Sequence, residues 1–512
     1  MLLQDVAVNV NFAVLKNILY KPVGIMLKTI RTVLAIICFI AVSLLFIDFT
    51  ATAIMGWGWL AKWQFMPALL AMNIPVLVVL VLLTLLLGRV YCSVLCPLGV
   101  LQDIVSHVRG WFGKKQRRRF SYRKPLTWLR VGFLAIFALL VIFGLVRLAS
   151  FIEPYSEFGR IMSSLVKPLY VDANNLIAAS QDADSYTFYH VDYYVSATMV
   201  IIAIVTLLVV GGMAWIDGRL YCNTVCPVGT ILGYLSRYSW LKPVIDESKC
   251  VKCGLCAKEC KASCIDSKEG KIDYTRCVAC MDCIGNCNTG AISYSHRSKS
   301  RNVDGDRRKF LTVSALLAGS AVAHAQEKTV DGGLATIIDK KKPVRRTRIT
   351  PPGSRSHDNF TKHCTACQLC ITNCPNNVLR PSGELSTFMQ PEVSYERGYC
   401  RPECTDCSSV CPAGAIMPID KAEKSAVQVG HAVWIRENCL PATEGVACGN
   451  CARHCPVGAI TMIPSVVGDE NSPLVPAVNT ERCIGCGACE NLCPVRPFSA
   501  IYVEGHEIHR TI

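Results

Sequence analysis

The sequence predicts an α-helical membrane protein, built from two related two-helix hairpins, joined to two α+β iron–sulfur domains of the bacterial-ferredoxin type. Three observations predict it. Apolar stretches near 32–54, 66–88, 129–147 and 195–216 each approach the roughly 20 residues that span a bilayer core. The twelve residues Gly88–Gly99 recur in closely similar form as Gly218–Gly229. Thirty cysteines are present, and most of them fall into evenly spaced quartets.

The composition fits a chain that is part membrane and part soluble. Hydrophobic residues make up 51% of its 512 positions, yet 18% are charged, and the apolar stretches end by residue 216. The formal charge of +15 does not point to nucleic acid, because the densest basic run, Lys114–Lys124, lies between two apolar stretches and reads as a topology signal. Residues 101–130 carry nine Lys and Arg against one Asp, whereas 147–194 carry six acidic residues against three basic ones. Lys16, Lys21, Lys28 and Arg31 precede the first stretch. By the positive-inside rule, the N-terminus and the 101–130 loop face the cytoplasm and the acidic loop faces outward, in a bacterial inner membrane.

The repeat reads Gly-Arg-x-Tyr-Cys-x3-Cys-Pro-x-Gly in both copies, each closing an out-to-in stretch, so the two hairpins share one orientation. Cys92 and Cys96, like Cys222 and Cys226, stand four residues apart on one face of a helical turn. Two readings stay open: the halves bring four thiols together as a metal, cluster or redox thiol site with a catalytic role, or each pair is structural. Cys38 reads as a small apolar residue of the first span. No histidine lies within the four stretches, so paired haem ligands are absent there, and His107 and His190 fall in connecting loops. Neither a dinucleotide fingerprint nor a phosphate loop is present, which leaves electrons as the cargo.

The remaining cysteines form six quartets. These are Cys250, Cys253, Cys256 and Cys260; Cys277, Cys280, Cys283 and Cys287; Cys364, Cys367, Cys370 and Cys374; Cys400, Cys404, Cys407 and Cys411; Cys439, Cys448, Cys451 and Cys455; and Cys483, Cys486, Cys489 and Cys493. Four have the full C-x2-C-x2-C-x3-C spacing, and proline follows the last cysteine in the four later quartets. That is the ferredoxin pattern, in which three close thiolates grasp one cubane and the fourth reaches its neighbour, so six [4Fe-4S] clusters are expected. Zinc ribbons need only paired cysteines, and disulfide networks show no such period. Cys264 is a spare, read as an inert buried thiol or as a substitute for Cys260.

"DRRKFLTVSALLAGSAVAHAQ", Asp306–Gln326, has paired arginines, a short apolar core and an Ala-x-Ala site. It reads as an internal twin-arginine-like signal or a fifth anchor. Either way the domain after it lies outside, exported already folded with its clusters. One expectation is cleavage after Ala325. The expected organisation is 1–240 transmembrane unit, 241–300 cytoplasmic two-cluster domain, 301–326 signal segment, 327–356 linker and 357–512 periplasmic four-cluster domain.

These motifs carry a resemblance. The first 300 residues resemble NapH, the membrane ferredoxin protein of periplasmic nitrate reductase systems, with its two C-x3-C-P motifs. Residues 301–512 resemble NapG, its twin-arginine-exported partner, and the ferredoxin-type proteins of methylamine utilisation share the motifs. The resemblance implies an electron-transfer subunit of anaerobic respiration with quinol dehydrogenase activity. It takes electrons from the membrane quinone pool and passes them to a c-type cytochrome or terminal reductase. Its quinol-site candidates are Glu153, Tyr155, Glu157 and His190, near Trp57, Trp59 and Trp63; the plain alternative is an aromatic belt and a solvated acidic loop. The rival function is a donor, driven from the cytoplasm, that matures or reactivates a periplasmic metalloenzyme or copper site; a third is a mere scaffold. The family pattern also implies fourth ligands. Cys493 joins Cys364, Cys367 and Cys370; Cys374 joins Cys483, Cys486 and Cys489; Cys455 joins Cys400, Cys404 and Cys407; Cys411 joins Cys439, Cys448 and Cys451. In the first domain Cys287 joins Cys250, Cys253 and Cys256, and Cys260 joins Cys277, Cys280 and Cys283.

Overall fold

The computed structural model describes residues 26–50, 52–112, 120–180, 188–191, 193, 195–296, 339–466, 468–469 and 471–512. The signal-like stretch 301–326, the linker up to residue 338, Lys16, Lys21 and the basic run from Lys114 to Arg119 lie outside the described residues. The described chain divides into two compact units. One takes in the described residues up to 296 with Gly353–Glu392 and Thr405–Ile419; the other takes in those of 339–352, Val393–Cys404 and Asp420–Ile512.

The first unit is organised by its apolar helices. Met26–Ile47 and Ala197–Asp217, of 22 and 21 residues with mean hydropathy of 2.7 and 2.6, are long and apolar enough to cross a membrane. Ile74–Leu87 and Thr127–Ile142 are apolar but shorter, at 14 and 16 residues. The backbone explains why. The second stretch is broken where Met72 turns left-handed at φ 52°, and Asn73 then caps a new helix with Pro75 in its first turn. The third stops before Gly144, at φ 71°. Two of the four expected spans are thus full length and two fall short of a bilayer core.

The duplication survives as structure. Ile74–Leu87 and Ala197–Asp217 each end at a left-handed glycine, Gly88 at φ 70° and Gly218 at φ 36°. Short helical turns follow, Val90–Val94 and Leu220–Thr224, and then helices that open with proline, Pro97–Phe112 and Pro227–Ser236. Between the copies, helix Pro154–Ile161 is buried throughout and packs on Pro97–Phe112 and Ala197–Asp217.

The first ferredoxin segment docks on the ends of these helices. Its framework is two antiparallel ribbons, Leu241–Ile245 with Ile292–His296 and Ile265–Asp266 with Lys271–Ile272. Asp103 is the electrostatic anchor. Its carboxylate meets Arg219 at 2.8 Å, Lys261 at 3.4 Å and Arg31 at 3.5 Å. Burial works to raise its pKa, but the cations Arg219 and Lys261 overcome this and hold it well below the usual carboxylate range.

Residues 357–392 and 405–419, expected in one outer domain with the rest of 357–512, group with the helices in the first unit, together with 353–356 of the expected linker. Met199 packs on Ala366 and Met389, Ser163 Oγ donates to Gln368 Oε1 at 2.8 Å, and Asn373 Nδ2 donates to the Leu45 carbonyl at 3.1 Å. The second unit has its own frame, Val427–Trp434 paired with Ile501–Thr511 and Ile460–Pro464 with Leu474–Val478. There Arg345 and Glu490 form a buried ion pair at 2.6 Å.

Replacing Asp103 with Asn leaves Arg219 buried without its anion, which costs about 3–5 kcal/mol. We expect a clear fall in the denaturation midpoint of the full chain. The depressed pKa makes Asp103 stabilising above the usual carboxylate pKa of ~4, so the wild type loses this advantage in acid and the variant does not.

Candidate iron–sulfur and thiol sites

Three thiols on a short loop can converge only if the chain doubles back between them. It does so beside the second cysteine of all four regular quartets: Lys252 and Gly254, Ala279 and Met281, Ala366 and Gln368, and Gly485 and Gly487 all have positive φ, from 51° to 78°. This left-handed pair turns successive backbone N–H groups toward a common centre, an anion-binding concavity of the kind that suits a cluster.

The fourth ligands follow from which thiols share a cavity. Cys260 lines one cavity with Cys277, Cys280 and Cys283, and Cys287 lies within electrostatic range of Cys256, beside Cys250 and Cys253. This is the exchange the resemblance implied for the first domain. Cys264 is not remote from it: its sulfur is 3.5 Å from that of Cys260 and lines the same cavity.

Beyond residue 360 the exchange differs from the implied one. Cys411, not Cys493, lines a cavity with Cys364, Cys367 and Cys370. Cys493 instead lines one with Cys439, Cys448 and Cys451, and Cys455 lies within electrostatic range of Cys483 and Cys486. Cys411 therefore joins the first later quartet, and the third and fourth quartets exchange with each other. Sequence neighbours exchange ligands, which keeps the closed loops short.

Among the described residues no three His, Cys, Asp or Glu side chains are close enough to hold a single metal ion. A cubane takes its thiolates at its corners, farther apart than the ligands of a lone ion, so these cysteine cavities fit [4Fe-4S] clusters and not zinc. Each group would hold its cluster through three loop cysteines and one exchanged cysteine, and the cluster would supply one-electron redox chemistry.

The duplicated motifs converge as well. Cys92, Cys96, Cys222 and Cys226 are all buried, and Cys226 lies within electrostatic range of the other three. Around them stand residues that the motif contained but the sequence reading passed over. Arg89 Nη2 lies 3.8 Å from Cys92 Sγ and donates to the Cys222 carbonyl at 3.4 Å. Arg219 mirrors it, donating to the Cys92 carbonyl at 2.7 Å. The invariant spacing to Gly99 and Gly229 also has a cause, since a Cβ there would stand 2.4 Å from the Cys92 carbonyl oxygen or 2.1 Å from that of Cys222.

Of the acidic-loop candidates, three are brought together and one is not. Glu153, Tyr155 and Glu157 are buried on or at the start of helix Pro154–Ile161, whereas His190 is exposed. Glu153 caps the helix, accepting from the backbone N–H groups of Tyr155 and Ser156. The Tyr155 hydroxyl and Glu157 Oε2 have no hydrogen-bond partner, and burial pushes the Glu157 carboxyl up to about 8. Tyr155 is within electrostatic range of Cys367 and Cys411. Gly159 presses on the same loop, since a Cβ there would lie 2.5 Å from the Cys367 carbonyl oxygen. Trp57 is not in this group; it donates to the Ala41 carbonyl at 2.9 Å, and Trp59 stacks edge-on with Trp63.

Comparison with known proteins decides the family. A profile described as "4Fe-4S binding domain" matches residues 70–119 and 194–245, a second of that description matches 243–266, and a "4Fe-4S dicluster domain" matches 446–496. The ferredoxin-type protein NapG of Escherichia coli is 31% identical over 209 residues, 38% of this chain and 84% of that protein. NapF of the same organism is 33% identical over 160 residues, covering 31% and 87%. The methylamine utilization ferredoxin-type protein MauM of Methylorubrum extorquens is 32% identical over 200 residues, covering 36% and 84%. The chain belongs to the Nap-type ferredoxin family. It is a ferredoxin-type iron–sulfur electron-transfer protein. No solved structure matches it.

The exchanged ligands are testable with paired substitutions. If Cys493 and Cys439 hold one cluster, Cys493→Ser, Cys439→Ser and the double variant each lose about four iron atoms per chain. Cys493→Ser combined with Cys364→Ser loses about eight. Iron and sulfide analysis of anaerobically purified protein reads the difference.

Proposed function

We propose that this chain is a quinol dehydrogenase of the bacterial cytoplasmic membrane. It takes electrons from quinol at the helical unit and sends them through six [4Fe-4S] clusters to a periplasmic acceptor, a c-type cytochrome or terminal reductase. In this reading the helices cross the membrane, the 250–287 segment faces the cytoplasm, and the twin-arginine-like stretch delivers the later cysteines to the periplasm.

The observation that carries the reading is the buried group Glu153, Tyr155 and Glu157 against the Cys367 loop. Quinol oxidation releases two protons with two electrons, so it needs a proton acceptor beside a one-electron carrier, away from water. Glu157 suits the first role, because Oε2 is unpartnered and its raised pKa matches the proton it would take. Arg160, buried at the same place and bonded to the Ser150 carbonyl at 2.9 Å, limits the cost of the carboxylate once it forms. Tyr155 would orient the quinol oxygen through its unpartnered hydroxyl.

A second reading is favoured by the close seating of the first ferredoxin segment on the helices, where Arg89 and Arg130 both donate to the Thr275 carbonyl. Electrons would then enter from a cytoplasmic donor and serve to mature or reactivate an external metalloenzyme. Anaerobic mixing of purified protein with a quinol analogue separates the two. Bleaching of the cluster absorbance supports the dehydrogenase, bleaching only by a low-potential ferredoxin supports the second reading, and no bleaching by either rejects both.

The pH dependence gives a sharper expectation. The raised Glu157 pKa means that the fold prefers the neutral acid, so ionising it costs stability as pH rises from ~4 through about 8. As a base, Glu157 is competent only when ionised, so the quinol-driven rate climbs toward pH about 8 and levels above it. Glu157→Gln removes that inflection and slows reduction by about 10²–10⁴-fold. Stopped-flow traces across pH would show both.

A further inference from the structure

Clusters exchange electrons efficiently only with close neighbours, because electronic coupling falls steeply with distance. Which cysteine loops touch therefore sets the route. We infer that the later clusters are not wired in the order of the sequence. The cluster of the second later quartet hands electrons to that of the fourth, and the fourth to that of the third, from which they leave to a one-electron acceptor protein.

The first link is a direct contact. The Cys400 N–H donates to the Cys486 carbonyl at 2.9 Å, and both cysteines line one cavity with Tyr395. The tyrosine fixes the Cys486 loop at this junction. Its hydroxyl donates to the Gly485 carbonyl at 2.6 Å, and its own carbonyl accepts from Asn491 Nδ2 at 2.8 Å. Its ring lies so close that a Cβ on Gly487 would stand 2.2 Å from it. Lys424, also buried, braces the Cys400 loop by donating to the Arg401 carbonyl at 2.5 Å and to the Cys404 carbonyl. The neighbour of the Cys400 loop is thus the fourth quartet, although the third comes next in the sequence.

The second link is the exchange of ligands. Cys493, which ends the fourth quartet, lines the cavity of Cys439, Cys448 and Cys451. Cys439, Cys483, Cys489 and Cys493 also share one buried group of side chains, with Cys451 and Cys455 packed against it.

The two loops differ in their access to the surface. Cys483 and Cys489 are buried, and so are Ile484, Gly485, Gly487 and Ala488 between them. The third quartet is stretched, with eight residues between Cys439 and Cys448, and residues 443–447 of that insert are all exposed. Cys448 and Cys451 are half-buried, and Arg453 and His454 beyond them are exposed. A cluster sealed on every side can pass electrons along but cannot deliver them to another protein. One beneath an open face can, and electron-transfer encounters need only a small interface. The stretched spacing, which a cubane does not itself require, supplies that face. The inference rests on the proposed outward flow for its direction alone, since neither link involves the quinol site.

The test uses the full chain, purified anaerobically in detergent and reduced with dithionite, so that quinol oxidation plays no part in it. Mitochondrial cytochrome c is the acceptor, and stopped-flow absorbance counts the electrons it takes in the fast phase. Cys448→Ala, which removes the third cluster, is expected to lose the fast phase. Cys483→Ala, which removes the fourth, is expected to keep a burst of about one electron per chain from the isolated third cluster. The reverse pattern would overturn the order. A full fast phase in both variants, or none in the wild type, would overturn the exit. Should the variants fail to accumulate, iron positions from anomalous X-ray scattering of the wild type decide the order. The second cluster is expected to lie nearer the fourth than the third, and the opposite arrangement sinks the inference.

Discussion

Two guanidinium groups, sealed from water between the halves of an internal repeat, set the terms for everything around them. A buried cation persists only where negative charge or dense hydrogen bonding meets it. Arg219 reaches Asp103, which in turn gathers Arg31 from the first helix and Lys261 from the first ferredoxin segment. Arg89 reaches the Thr275 carbonyl of that same segment. The helices and the ferredoxin fold are therefore fastened to one another by the same two groups that bridge the copies of the repeat.

The same economy appears at the other end of the helices. Helix Pro154–Ile161 carries no exposed side chain, and its one glycine lets the Cys367 loop approach to a distance no Cβ would allow. Placing a polar, capped helix here, between apolar neighbours and a cysteine loop, confines Glu157 and Tyr155 where water cannot neutralise them. Strain of that sort is characteristic of chemistry rather than of packing, because an apolar helix would be the cheaper filling.

Much of this was legible in the residues, and the reasons it was legible differ from place to place. The quartets declare themselves because a cubane imposes its own spacing on the chain, whatever the surrounding fold. The repeat declares itself because Gly88, Pro97 and Gly99 and their counterparts answer local steric demands that no other residue type meets. What could not be read were relations set by tertiary packing. Nothing near Cys411 says that it faces Cys367 instead of Cys448, and nothing in the run 360–392 distinguishes it from the rest of the later cysteine-rich region, although it folds with the helices. The helix breaks at Met72 and Gly144 were equally hidden inside uniformly apolar runs. Arg89 and Arg219 were visible in the repeat, but nothing in the sequence said that they turn inward; only the structure shows them buried.

The attachment of Gly353–Glu392 to the helices bears on how such a protein is assembled. The relative NapG aligns over 84% of its own length with only 38% of this chain, whereas here the helices and the later cysteine segments share one chain. Because the later segment already grips the helices through Met199, Leu45 and Ser163, a covalent tether adds little to their mutual hold. What fusion secures is copy number: every helical unit is born with one partner, and neither half waits for the other to diffuse into place.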